Sequence, residues 1–191
     1  DIRAACTQHL RDIGVPADDT SSVVFENAQA RERTQVLMDL ANKEGALYVG
    51  TGDLSEMALG WMTFGADQIS MYHVNSSVPK TLVRKLVGWV ADNEATAEER
   101  HALHAVLATP VSPELLPPDA TGAIVQKTED VVGPYELHDF FLFALLRLGA
   151  GPRKMLFLAG HAFAGRYDEA EPAYVRAIAA AFARARAQRR A

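Results

Sequence analysis

The sequence predicts an α/β protein in which a partial parallel sheet is flanked by many helices, with a mostly helical second half. Three observations carry this reading. A short apolar run, Leu47-Tyr48-Val49, is followed at once by Gly50-Thr51-Gly52-Asp53 and then by a helix-forming stretch, the junction that closes a parallel α/β unit. Segments with helical spacing of apolar residues recur from there to the end of the chain. Strand signals are confined to the first part, so a complete sheet is missing.

The elements follow in order. Residues 2–13 read as a short helix closed by Gly14 and Pro16, and residues 17–22 as a small, polar surface loop. Val23-Val24-Phe25 leads into a helix over 26–43, whose Val36, Leu37, Leu40 and Ala41 recur at helical spacing and which Gly45 ends. After the strand at 47–49 a helix is expected over 54–61, then a polar loop over 65–77. Pro79 opens a helix running to about residue 91, and residues 97–107 form another. The Pro-rich stretch 109–118 cannot be helical. Gly133-Pro134 starts a helix over 135–148, stopped by the glycines at 149 and 151. Helices over 152–164 and 171–190 complete the chain.

Composition narrows the function classes. The 191 residues carry 19 Lys+Arg against 24 Asp+Glu, a net charge of −5, whereas a sequence-blind nucleic-acid binder shows a basic surplus. A hydrophobic fraction of 49% with 23% charged residues is that of a folded globular chain. The single cysteine, Cys6, excludes an internal disulfide and a cysteine-built zinc site, and reads as a buried small hydrophobe. No apolar run approaches the ~18–20 residues of a membrane span, and Asp1-Ile2-Arg3 does not begin a secretory leader. The expected compartment is the cytoplasm, with neither nucleic acid nor membrane as partner.

Gly50-Thr51-Gly52-Asp53-Leu54-Ser55-Glu56 is the best local signal for chemistry. Glycines after a strand allow close backbone approach, and the helix N-terminus beyond presents free N–H groups to an anion. Thr51 could then contact a nucleotide, while Asp53 or Glu56 could hold a hard cation such as Mg²⁺. The other reading is a capping box, with Asp53 as N-cap and Glu56 reaching back from N3. Lys80, with Arg84 and Lys85 behind it, sets positive charge at a helix start, which is unfavourable by roughly 0.3–1 kcal/mol unless an anion docks there. A phosphate would remove the conflict, and a solvated lysine that tolerates it is the alternative. Asn27 and Arg31 stand one helical turn apart, either as a ligand-facing pair or as plain surface. His101 and His104, with Glu98 and Glu99 nearby, read as a solvated face, and His138 as a hydrogen-bonded core histidine. No nucleophile-elbow sequence anchors a Ser/His/Asp set, and no catalytic residue is assigned. Arg176, Arg184, Arg186, Arg189 and Arg190 give an arginine-rich end.

Five stretches together resemble the synthetase domain of glutamine-dependent NAD⁺ synthetases: ENAQARERT at 26–34, VGTGDLSEMALGW at 49–61, SMYHVNSSVPKT at 70–81, TPVSPELLP at 109–117 and QKTEDVVGPYELHDFF at 126–141. They occur in the family's order over about residues 24–163. The resemblance implies the N-type ATP-pyrophosphatase fold (adenine-nucleotide α-hydrolase-like), a homo-oligomer, and ATP and Mg²⁺ at the site. It also implies the reaction: the nicotinate carboxylate of deamido-NAD⁺ is adenylated by ATP, and ammonia, free or released from glutamine, displaces AMP to give NAD⁺. Matched position by position, Thr51, Lys80 and Ser112 fall on ATP contacts. Asn27, Arg31, Glu56 and the segment Trp61, Met62, Thr63 and Phe64 fall on deamido-NAD⁺ contacts, and Glu56 also on a Mg²⁺ contact.

Two family features do not occur in these residues: the SGGxDS phosphate loop and the amidase domain that frees ammonia from glutamine. The expectation is therefore one partial synthetase domain over residues 1–191, with 164–191 as its C-terminal helix. The rival expectation is a non-catalytic module that binds nucleotide or forms an oligomer interface.

Overall fold

The computed structural model describes residues 2–16, 18–112 and 128–166. The helix expected over 171–190, the arginine-rich end and residues 113–118 of the Pro-rich stretch lie outside the described residues. The chain forms two compact units, Asp1–Val132 and Gly133–Ala191.

The first unit opens with α1 (Arg3–Asp12), which buries Cys6 and Leu10 one turn apart on the side that packs against α2 (Val23–Glu44). Burial, then nearby Glu32, pushes the Cys6 thiol above its ordinary value against the opposing pull of Arg33, so this cysteine packs as a hydrophobe. Helix α2 begins three residues earlier than its periodicity suggests. Ser22 supplies the cap, its Oγ accepting from Phe25 N at 3.2 Å, so the Val-Val-Phe run is the first helical turn. Gly45, at φ +61°, ends the helix in the left-handed conformation expected of it.

Strand β1 is shorter than the apolar run, only Val49–Gly50, and it pairs in parallel with β2 (Tyr72–His73), placing Gly50 opposite His73. The stretch 65–77 was expected to be loop throughout; β2 is too short for its alternation to register and exists through its pairing. Between the strands, α3 (Leu54–Leu59) stops before Trp61, because Gly60 turns left-handed at φ +67°. Helices α4 (Lys80–Asn93) and α5 (Ala97–Ala108) pack as a hairpin over a fully buried Ala91. Arg84 donates to Leu107 O at 2.6 Å and Arg100 to Ala91 O at 2.9 Å across it. His104 lies on the exposed face as expected, Nε2 2.9 Å from Asp92 Oδ1. A short α6 (Thr128–Val132), not anticipated, is tied back by Thr128 N to Val111 O at 2.9 Å.

In the second unit α7 (Tyr135–Leu148) packs against α8 (Pro152–Ala162), and Leu137, Phe141, Leu142 and Met155 are among the side chains they bury. His138 is buried at 2% exposure, the core position read from its neighbours. Phe140 meets Phe163 edge-on at 5.2 Å. No helix among the described residues is long and apolar enough to cross a membrane.

Candidate functional site

Four of the sequence-predicted site residues converge where β1 gives way to α3 and α4 begins. The turn Gly50–Asp53 leaves the strand, and Asp53 caps α3: its Oδ1 accepts from Glu56 N at 2.9 Å. Glu56 closes the box, Oε2 accepting from Asp53 N at 3.2 Å. The capping reading of this motif is therefore correct. It does not exclude the other, because each carboxylate has a second oxygen, and both second oxygens point to Lys80. Lys80 Nζ stands 2.7 Å from Asp53 Oδ2 and 2.8 Å from Glu56 Oε1. The three side chains are largely buried, at 15% exposure for Lys80, 5% for Asp53 and 27% for Glu56.

The charge conflict at the start of α4 is thus met from within the chain. Burial acts to lower the Lys80 pKa, but its bonds to Asp53 and Glu56 outweigh burial and raise it, so the ammonium is held charged. Ser55 completes the junction. Pro79 at the N-cap of α4 offers no side-chain acceptor, and the Ser55 Oγ accepts from Lys80 N at 2.9 Å instead. Leu54 N also donates to Val78 O at 3.1 Å, so α3 and α4 meet start to start. Ser55 was not picked out from the sequence, although a proline at a helix start signals that a cap must come from elsewhere.

Thr51 is exposed on the turn, between glycines that are both buried. The underside of the turn is filled by Ser70 and His73, also not foreseen. A Cβ on Gly50 would stand 2.5 Å from Ser70 Oγ and 2.7 Å from His73 Nδ1, so any side chain there would have to displace Ser70 and His73.

Arg31 and the 61–64 segment form a second group. Arg31 Nε on α2 donates to Phe64 O at 3.0 Å, and Ala30 packs on Ala66 with both fully buried. Trp61 N donates to Glu56 O at 3.0 Å and Thr63 N to Asp67 Oδ2 at 3.3 Å, which folds the segment back on α3. Trp61, Met62 and Thr63 are half-buried while Phe64 is 78% exposed. Asn27 is half-buried on α2, one turn before Arg31. Ser112 is half-buried in the stretch after α5, next to the Val111 carbonyl that holds α6.

The donor set is made of hard carboxylate oxygens, which suits Mg²⁺, but no group of three or more His, Cys, Asp or Glu among the described residues could hold a metal by itself. Mg²⁺ is ordinarily held by one or two carboxylates together with substrate phosphates, and Glu56 with Asp53 fits that pattern.

A family model described as NAD synthase matches residues 1–147. Glutamine-dependent NAD⁺ synthetases are similar over most of this chain: that of Mycobacterium leprae is 46% identical over 85% of it, and that of Mycobacterium tuberculosis 45% over 85%. The chain spans about a quarter of the length of these curated relatives, 25% and 24%. Among solved structures, the NMN synthetase of Francisella tularensis superposes with a TM-score of 0.55 at 23% identity, covering 74% of this chain and 51% of its own, which shows a shared fold.

Proposed function

The chain belongs to the NAD synthase family, and from that premise we propose that the junction of β1, α3 and α4 serves ATP-dependent amidation of deamido-NAD⁺ to NAD⁺. The observation that carries the reading is the buried Lys80 ammonium held between Asp53 and Glu56 beside the Gly50–Asp53 turn. A carboxylate is a poor electrophile. Attack of a nicotinate oxygen on the α-phosphorus of ATP forms a C–O–P bond, breaks the bond to the β-phosphate and releases pyrophosphate. Ammonia then adds to the carbonyl carbon, loses a proton, and AMP leaves. Ammonia is free or comes from glutamine in an amidase portion of the enzyme.

The first step brings two anions together, so the site must supply positive charge in a fixed geometry. Lys80 supplies one, already desolvated and held rigid by two carboxylates. Turned toward phosphate oxygens it exchanges one set of anionic partners for another and keeps its charge. Glu56, with Asp53, would hold Mg²⁺, which neutralises charge on the phosphates when bound. Thr51 and Ser112 meet ATP, while Asn27, Arg31, Glu56 and the 61–64 segment meet deamido-NAD⁺, with Arg31 fixing that segment through Phe64 O. The assembly is a homo-oligomer in the cytoplasm.

The test is a chimera in which residues 24–163 replace the matching stretch of the Mycobacterium leprae relative. Supplied with deamido-NAD⁺, ATP, Mg²⁺ and ammonium, it should form NAD⁺. Glu56→Gln keeps one oxygen for the capping box but removes the charge and turns an amide donor toward Lys80, so it should lower kcat by about 10²–10³ and lower the thermal midpoint by a few degrees while the protein stays folded. Turnover retained in Glu56→Gln would return Glu56 to capping alone.

A further inference from the structure

We propose that Ser70 and His73 are positioning residues for the Gly50–Asp53 turn, setting where Thr51 and Asp53 stand for the nucleotide. The inference rests on the ATP reading above for the ligand, but not for the geometry. His73 is the register partner of Gly50 across β1 and β2. Its ring also reaches Gly52, where a Cβ would find His73 Nδ1 at 3.5 Å and Cε1 at 3.6 Å. One imidazole therefore lies against both glycines that bracket Thr51. Ser70 Oγ fills the rest of the space under Gly50.

The chemistry of the ring is fixed from its far side. His73 Nε2 lies 3.0 Å from Gln68 O, and a carbonyl oxygen only accepts, so Nε2 carries the hydrogen. In the neutral ring Nδ1 is then a bare acceptor. Nδ1 and the Ser70 hydroxyl are both buried and both lack a hydrogen-bond partner among the described residues, while standing within 2.7 Å of the same point beside Gly50. Buried polar atoms without a partner are rare in folded proteins, and each calls for an explanation. Here one is a donor and the other an acceptor, placed side by side under the turn. The pair closes when the turn takes its nucleotide-bound position, and that is how the two residues fix it.

The decisive variants are His73→Phe, which keeps a flat ring and removes both nitrogens, His73→Asn, whose Oδ1 takes the place of Nδ1, and Ser70→Ala. Affinity of the 191-residue chain for ATP with Mg²⁺ is measured by calorimetry, and the ring nitrogens and the 51–53 amides by ¹⁵N NMR. We expect His73→Phe to weaken ATP binding by tenfold or more, Ser70→Ala by at least threefold, and His73→Asn to stay within threefold of the parent. The Nε2 nitrogen should carry a hydrogen. Unchanged binding in His73→Phe overturns the proposal, as does a hydrogen resident on Nδ1. Should His73→Phe not fold, Ser70→Ala decides, and unchanged binding there overturns it. Should the 191 residues by themselves bind no ATP, the ATP reading is judged on the chimera described above, which brings the phosphate loop; the positioning role is then judged on the 51–53 amides, and if His73→Phe or Ser70→Ala leaves their shifts and exchange rates unmoved, it falls.

Discussion

Lys80 opens a helix whose N-terminus is already positive, and the chain answers with the carboxylates of Asp53 and Glu56 at 2.7 and 2.8 Å. That conflict was visible in the sequence; its resolution was not, because the residues lie 24 to 27 positions apart and only the meeting of α3 and α4 joins them. Lys80→Met removes the cation that pairs with Asp53, a carboxylate 5% exposed, and leaves its charge balanced by no ion pair, with only the cap bond from Glu56 N. The cost should be about 2–4 kcal/mol, kept from the top of the range for buried pairs because Glu56 is 27% exposed. A lowered urea midpoint with unchanged slope measures it. The pH dependence has a definite sign. The Lys80 pKa is raised in the folded state above the ordinary 10.5, so its stabilisation is complete below that pH and is lost as the pH climbs through the raised value. The parent chain should lose stability on that alkaline limb, and Lys80→Met should lack the loss.

At the level of elements, glycines separate what sequence shows from what it hides. Gly45 was legible as a helix end because the local backbone alone demands it, at φ +61°. Gly50 was legible as a close approach, yet what approaches it, Ser70 and His73, belongs to a strand two residues long that has no pattern of its own. Helix α7 was readable to the residue, since Gly133-Pro134 and Gly149 mark both ends and the apolar spacing between them is strong. Gly88 is a third kind, an ordinary interior position of α4. A Cβ there would meet only Leu107 Cδ1, at 3.6 Å, a normal contact with the facing α5. Gly88→Ala should therefore raise stability by about 0.5–1 kcal/mol, through helix propensity and a less free unfolded chain. Gly50→Ala should do the reverse, with its Cβ 2.5 Å from Ser70 Oγ. Thermal midpoints of the two variants, moving in opposite directions, check the distinction.

At the scale of the whole molecule, α2 bears on how copies meet. Its spacing marked Val36, Leu37, Leu40 and Ala41 as one apolar face, but within the folded unit it is the small residues Ala30, Thr34 and Ala41 that are buried. The large ones stand out, Val36 at 39%, Leu37 at 43% and Leu40 at 45% exposure. A helix that packs inward through alanines lets its neighbours approach closely, and it leaves its larger side chains for a second surface. Positions 36, 37 and 40 lie side by side on that outer face, one turn from end to end. This outer face is one that the proposed homo-oligomer would bury against an identical copy. Sedimentation velocity on the parent chain should then give a dimer or larger species. Leu37→Glu with Leu40→Glu places like charges across a twofold contact and should return the monomer, without loss of helical circular dichroism because both positions are already exposed to solvent. A parent that sediments as a monomer would remove α2 from any self-association. A double variant that remains a dimer would move the contact to another face of the chain.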